Sequence, residues 1–178
     1  MYNQWNYRNG GIKTRKKIDA HRRLFERLWK HAVEVMEHCL QVNALVILEW
    51  PTNNLYWKHP KVVKFFGKAF PTSDGIETWK PVRIHGCAYG LKSKKGVPIK
   101  KPWTLMTNKS QTVMEMQKKC ECYKAHDGVP PALQRGEKHA KCAGSETKPS
   151  ENYPEGLANE FHSMFANYCS GISCGRST

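Results

Sequence analysis

The sequence predicts an α/β fold: one buried parallel strand and an antiparallel hairpin, flanked by helices, with a Cys/His-rich segment attached. Three observations carry this. Residues 44–48 (ALVIL) form an unbroken apolar run, too short for a helix and too continuous for a half-exposed strand. A long stretch of helical periodicity precedes it, over residues 14–42. Two further strand-like runs, 82–89 (VRIHGCAY) and 102–108 (PWTLMTN), flank a basic loop with Gly96 and Pro98 at its tip, the pattern of a hairpin.

In the long helix, Ile18, Phe25, Leu28, Trp29, Ala32, Val33, Met36, Cys39 and Leu40 fall mostly at steps of three and four, and Thr14 is a candidate cap. Before it, residues 1–11 read as a loop broken by Gly10-Gly11. The helix carries Arg15, Lys16, Lys17, Arg22, Arg23 and Arg27 on its N-terminal half, either as a solvated face or as a phosphate-facing one.

The apolar run leads to Glu49 and Pro51. Proline stops a sheet ladder, so Glu49 stands at the carboxyl end of the strand, where open α/β sheets bind ligands. The plainer alternative is that Glu49 caps the next turn or pairs with a lysine. A short helix over residues 60–69 begins at Pro60, which suits a first turn. Residues 71–80 are turn-rich, residues 111–119 are helical, and residues 154–168 form a closing helix with Leu157, Ala158, Phe161, Met164, Phe165 and Tyr168 on one face. The tail over 169–178 is small, polar and expected to fray.

At 178 residues the chain has room for one sizeable core, so a single domain is expected over 1–178. It divides into an α/β core (12–108), a helix with the Cys/His-rich segment (109–149), and a C-terminal helix and tail (150–178). Lys and Arg number 29 against 15 Asp and Glu, a net charge of +14 that suits a polyanionic partner, DNA with RNA not excluded. No stretch approaches the ~18 apolar residues of a membrane span, and the N-terminus is polar, so no membrane is expected as a partner and an intracellular location is.

Seven cysteines in such a chain argue for reduced thiols or a metal. Cys120, Cys122, His139 and Cys142 are the leading zinc ligands, with His126 or Cys87 as substitutes and free thiols as the alternative. Four protein ligands would make the zinc structural. In the basic hairpin, Lys92, Lys94, Lys95, Lys100 and Lys101 stand between Tyr89 and Trp103, pairing charge with stacking surface as a nucleic-acid backbone and unstacked base require. Arg15, Arg22, Arg23, Lys100, Lys101 and Trp103 are therefore the candidate nucleic-acid contacts. The chain contains no Gly-x-Gly-x-x-Gly, no Gly-x4-Gly-Lys-Ser/Thr and no Gly-x-Ser-x-Gly.

The order of these features, a long helix, a strand ending in Glu49-Trp50-Pro51, the aromatic turn Leu55-Tyr56-Trp57, Cys87-Ala88-Tyr89-Gly90-Leu91, a Lys-Pro-Trp strand with Thr107-Asn108, a Cys/His segment and a Tyr-Pro-led helix, resembles the C-terminal half of divergent cytosine-5 DNA methyltransferases of phages and mobile elements. The resemblance covers residues 14–168 and implies a partial Rossmann-like methyltransferase sheet. It implies that Glu49 is the catalytic glutamate that holds the target cytosine, and that Lys100 and Lys101 line the DNA side. The family's nucleophile lies in a Pro-Cys motif, and no Pro-Cys dipeptide occurs here; the Gly-rich S-adenosylmethionine loop is missing too. The expectation is a fragment, split-gene half or degenerate copy, inactive alone, using S-adenosylmethionine only with a complementary N-terminal half. The rival expectation is a zinc-stabilised nucleic-acid-binding module of a mobile element, with no enzymatic role.

Overall fold

The computed structural model describes residues 4–72, 75–109, 113–114, 116–120, 139–142 and 149–174. The chain divides into two compact units, Met1–Ala44 and Leu45–Thr178. The core written from sequence for residues 12–108 is thus divided at Ala44.

The first unit is helical. Helix α1 (Gln4–Asn9) occupies part of the expected N-terminal loop, and α2 spans Ile12–Gln41. Gly11 is the N-cap and makes no side-chain cap bond, so Thr14 lies inside the first turn and does not cap it. The buried residues Ile18, Trp29 and Met36 stand eleven and seven apart, which returns them to one stripe of a 3.6-residue helix. At the other end, Asn43 N–H bonds the Leu40 carbonyl and Ala44 N–H the Cys39 carbonyl, closing a Schellman motif. Asn43 takes its left-handed position at φ 54°, a conformation that asparagine tolerates better than most residues.

The second unit is mixed α/β with small antiparallel sheets. Strand β1 (Ile47–Pro51) is followed by a 3₁₀ turn (Leu55–Lys58) and α3 (Pro60–Phe66). Asn54 and His59 accept from the backbone N–H groups of Tyr56 and Lys61 to start these two turns, and Pro60 fills the first helical position. Strands β2 (Ala69–Thr72) and β3 (Gly75–Thr78) make a separate hairpin where turns alone were expected. Phe70 and Trp79 are buried there against Phe65, with ring centroids of both phenylalanines 5.6 Å from Trp79.

The main sheet has the order β1-β5-β4, with β4 at Lys80–His85 and β5 at Pro102–Thr107. Both pairings are antiparallel. The expected hairpin of the second and third strands is present; the expected parallel ladder of a Rossmann-like sheet is not observed among the described residues. The central place belongs to β5, where Trp103, Thr104, Leu105 and Thr107 are buried, while Ile47–Trp50 of β1 are only half-buried. Glu49 lies mid-strand, since Trp50 and Pro51 continue the ladder to Thr104 and Trp103, and not at the carboxyl end expected from the proline. The apolar run pairs on one side only, so β1 is an edge strand, and its outer edge has no partner among the described residues.

Side chains at paired antiparallel positions share a face. Val82, Leu105, Ile84 and Trp103 therefore build one layer, and Leu157 and Met164 of the closing helix α4 (Glu155–Cys174) belong to the same core. Helix α4 continues through the stretch expected to fray, as far as Cys174. Gly156 lets it approach closely: a Cβ there would lie 2.8 Å from the Tyr89 carbonyl oxygen. No described helix is long and apolar enough to cross a membrane.

Candidate functional site

Register explains the state of Glu49. It pairs with Leu105, which pairs with Val82, so the carboxylate points to the face that builds the core. Leu105 is 0% and Val82 1% exposed. Burial raises the Glu49 pKa above its ordinary 4.5, opposed by the Tyr153 hydrogen bond and by the charge of Lys101. Tyr153 donates its hydroxyl to Oε2, and Oε1 is buried with no hydrogen-bond partner among the described residues. Burial, and then the carboxylate, hold the Tyr153 hydroxyl well above the usual phenol range.

Lys101 leads into β5. Its Nζ donates to the Ser150 carbonyl at 2.6 Å and lies 5.7 Å from the centre of the Trp103 ring. Trp103, expected to offer a stacking surface, is instead 2% exposed and belongs to the core. Its ring centroid is 5.7 Å from that of Tyr153. Tyr153 is 53% exposed, so the aromatic surface beside Glu49 is Tyr153. Sequence reasoning placed this residue only as the lead into a helix; the Tyr-Pro pair was the available signal.

The remaining candidate nucleic-acid residues are mostly exposed. Lys100, Lys92, Lys94 and Lys95 line the hairpin loop, pinned by the Lys92–Pro98 bridge and turned at Gly96, whose φ of 76° suits glycine. On α2, Arg15 donates to the Arg8 carbonyl, while Arg22 lies 3.7 Å from Asp19 and 4.5 Å from the Tyr7 ring centre; Arg23 is exposed.

A second constellation lies in the same unit. One ligand atom from each of Cys87, Cys120 and His139 lies within 4.8 Å of the others, with Cys120 Sγ 3.0 Å from His139 Nε2. Each residue sits on a pinned segment. Cys87 is in a 3₁₀ turn (Gly86–Tyr89) that follows β4 and is tied by Gly86 N–H to the Lys101 carbonyl. The Cys120 N–H donates to His85 Nδ1 at 2.9 Å, and the residue after His139, Ala140, donates to the Pro98 carbonyl at 2.9 Å. Burial, then Lys100 and His139, push the His85 pKa below its ordinary value, keeping the ring neutral and Nδ1 an acceptor.

Two thiols and an imidazole suit a borderline-soft divalent metal. Tetrahedral zinc bonds of about 2.3 Å to sulfur and 2.0 Å to nitrogen set a sulfur and a nitrogen roughly 3.6 Å apart, so the Cys120–His139 pair needs only a sub-ångström opening. Of the ligands expected from sequence, Cys120 and His139 meet here together with Cys87, which the sequence offered as a substitute. Cys142 lies outside the group, with Sγ 2.9 Å from Ser150 Oγ. Cys122 and His126 fall outside the described residues. Comparison of the chain with protein-family models, curated proteins and solved structures gave no match.

Proposed function

We propose that this chain is a DNA methyltransferase-like domain, corresponding to the C-terminal portion of a cytosine-5 enzyme, that binds nucleic acid and presents Glu49 to an unstacked cytosine. One observation carries the reading: a carboxylate in the middle of β1 whose Oε1 is buried with no partner among the described residues while Oε2 is held by Tyr153. Buried polar atoms are normally paired, and on this reading the partner of Oε1 is a ligand atom. A glutamate accepts well from the cytosine amino group, and the exposed ring of Tyr153 offers the stacking partner that an extruded base needs.

Supporting features are the net charge of +14 and the exposed lysines of the hairpin loop. The outer edge of β1 is where the strands of a complementary N-terminal half would add. On this reading that half supplies the nucleophilic cysteine and the S-adenosylmethionine site, and the chain does not methylate alone. Such a protein works on nucleic acid inside the cell, with no membrane partner.

A second reading draws on Cys87, Cys120 and His139: a zinc-stabilised nucleic-acid-binding module of a mobile element. The two separate in a binding experiment on wild type and Glu49→Ala, each with and without chelator. Affinity for extruded cytosine that depends on Glu49 supports the first reading. Affinity that collapses on chelation and ignores Glu49 supports the second. Transfer of labelled methyl groups to DNA by the isolated chain would overturn the statement that it is inactive alone.

A further inference from the structure

Two described stretches, residues 139–142 and 149–154, connect the metal-ligand group with the Glu49 site through a contact between Cys142 and Ser150. Residues 139–142 have neither helix nor strand to hold them. At one end His139 meets Cys120; at the other, Cys142 Sγ meets Ser150 Oγ at 2.9 Å. Ser150 is 1% exposed, and its carbonyl accepts from Lys101 Nζ. Three residues further on, Tyr153 donates to Glu49. The strap formed by residues 149–154 thus supplies both the anchor for Lys101 and the cover over Glu49.

What holds the strap differs in strength along its length. A thiol is a weak donor and a weak acceptor, so the Cys142–Ser150 and Cys120–His139 contacts add little to the Ala140 N–H bond to the Pro98 carbonyl. Thiolate and imidazole bonds to a metal are far stronger, and they couple metal binding to local order. His139 would be fixed by the metal, and Cys142, three residues later, would carry that order to Ser150.

We propose that a soft divalent metal, zinc by its donor set, bound at Cys87, Cys120 and His139 anchors the 149–154 strap over Glu49, so that metal occupancy governs how firmly Tyr153 and Lys101 are held at that carboxylate. The inference rests on the zinc reading of the thiol–imidazole group given above. It makes the metal a positioning device for the Glu49 site in addition to a clip on the fold.

The test is hydrogen–deuterium exchange on the full chain, stripped by chelator and then reloaded with one equivalent of zinc. Amides of the strap report the effect, and amides of β5 serve as the internal reference. The expected result is exchange in the strap about ten-fold or more faster without zinc, with β5 unchanged. Cys87→Ser should reproduce the stripped pattern in the presence of zinc. Cys142→Ala should keep its zinc and still loosen the strap, which separates the link from the ligand. Stoichiometric zinc with identical strap exchange in both states would overturn the coupling and leave the metal reading standing. Equal acceleration in β5 and strap would also overturn it, because the metal would then be holding the whole unit. Failure of the chain to retain zinc at all would overturn the metal reading itself.

Discussion

Tyr153 donates its hydroxyl to Glu49 Oε2 across 104 residues of sequence, tying the segment ahead of the last helix to the edge strand of the sheet. The bond stabilises a carboxylate that burial disfavours. Tyr153→Phe should therefore raise the Glu49 pKa further and destabilise the fold by about 1 kcal/mol at neutral pH. Half of the tyrosine is exposed, which keeps the figure below the range for a buried charged acceptor. Urea unfolding at pH 7 and again below pH 4 checks it, with the difference from wild type shrinking in acid.

The same carboxylate sets a pH dependence of definite sign. A folded pKa raised above the ordinary 4.5 means that the native state binds the proton more tightly than the unfolded chain. Stability contributed by the neutral form is complete below the unfolded value and is lost as pH rises through the folded one. Glu49→Gln removes that loss while keeping an acceptor for Tyr153. Its melting temperature should exceed that of wild type above the folded pKa of Glu49, and the gap should close as pH falls below 4.5. A constant gap at all pH values would show that ionisation of Glu49 is not responsible.

Gly156 controls how near α4 comes to the turn that carries Cys87. Alanine is the better helix former by about 1 kcal/mol. Here its Cβ would meet the Tyr89 backbone oxygen at 2.8 Å, and backbone gives little. Gly156→Ala is expected to lower the midpoint of urea unfolding despite its helix propensity; a raised midpoint would mean that the helix shifts freely.

Nucleic-acid binding should show the signature of counterion release. Arg23 and Lys100 are exposed cations from the two separate units. Each alanine substitution should reduce the slope of log affinity against log salt by about 1 if the side chain neutralises one phosphate. A slope unchanged by Lys100→Ala would remove the hairpin loop from the interface.

Much of the second unit was legible because its signals are local. Pro60 at a first helical turn, the apolar face of α4 and the strands flanking Gly96-containing loop each follow from nearby residues. Sheet position did not follow. An apolar run such as residues 44–48 looks the same whether it lies between two strands or at an edge beside a packed face, since burial of its side chains does not reveal how many ladders it joins. Long-range pairing likewise decided the metal-ligand group. Cys120 and His139 belong to one Cys/His-rich stretch, whereas Cys87, a substitute in the sequence reading, lies on a turn distant in sequence that follows β4. Trp103 shows the same limit in reverse: a tryptophan beside lysines matches the composition of a stacking platform, but alternation along β5 turns its ring into the core and leaves Tyr153 outside.

The most direct test of the central claim is equilibrium binding of the zinc-loaded chain to two duplexes that differ only in whether one cytosine is correctly paired or mispaired. Extruding a mispaired base avoids most of the unpairing cost, so a protein that holds the extruded base prefers it. The account predicts a preference of about ten-fold for the mispaired cytosine, falling to near unity in Glu49→Ala while affinity for the paired duplex is retained. Equal affinity for both duplexes in wild type, or a preference indifferent to Glu49, would contradict it.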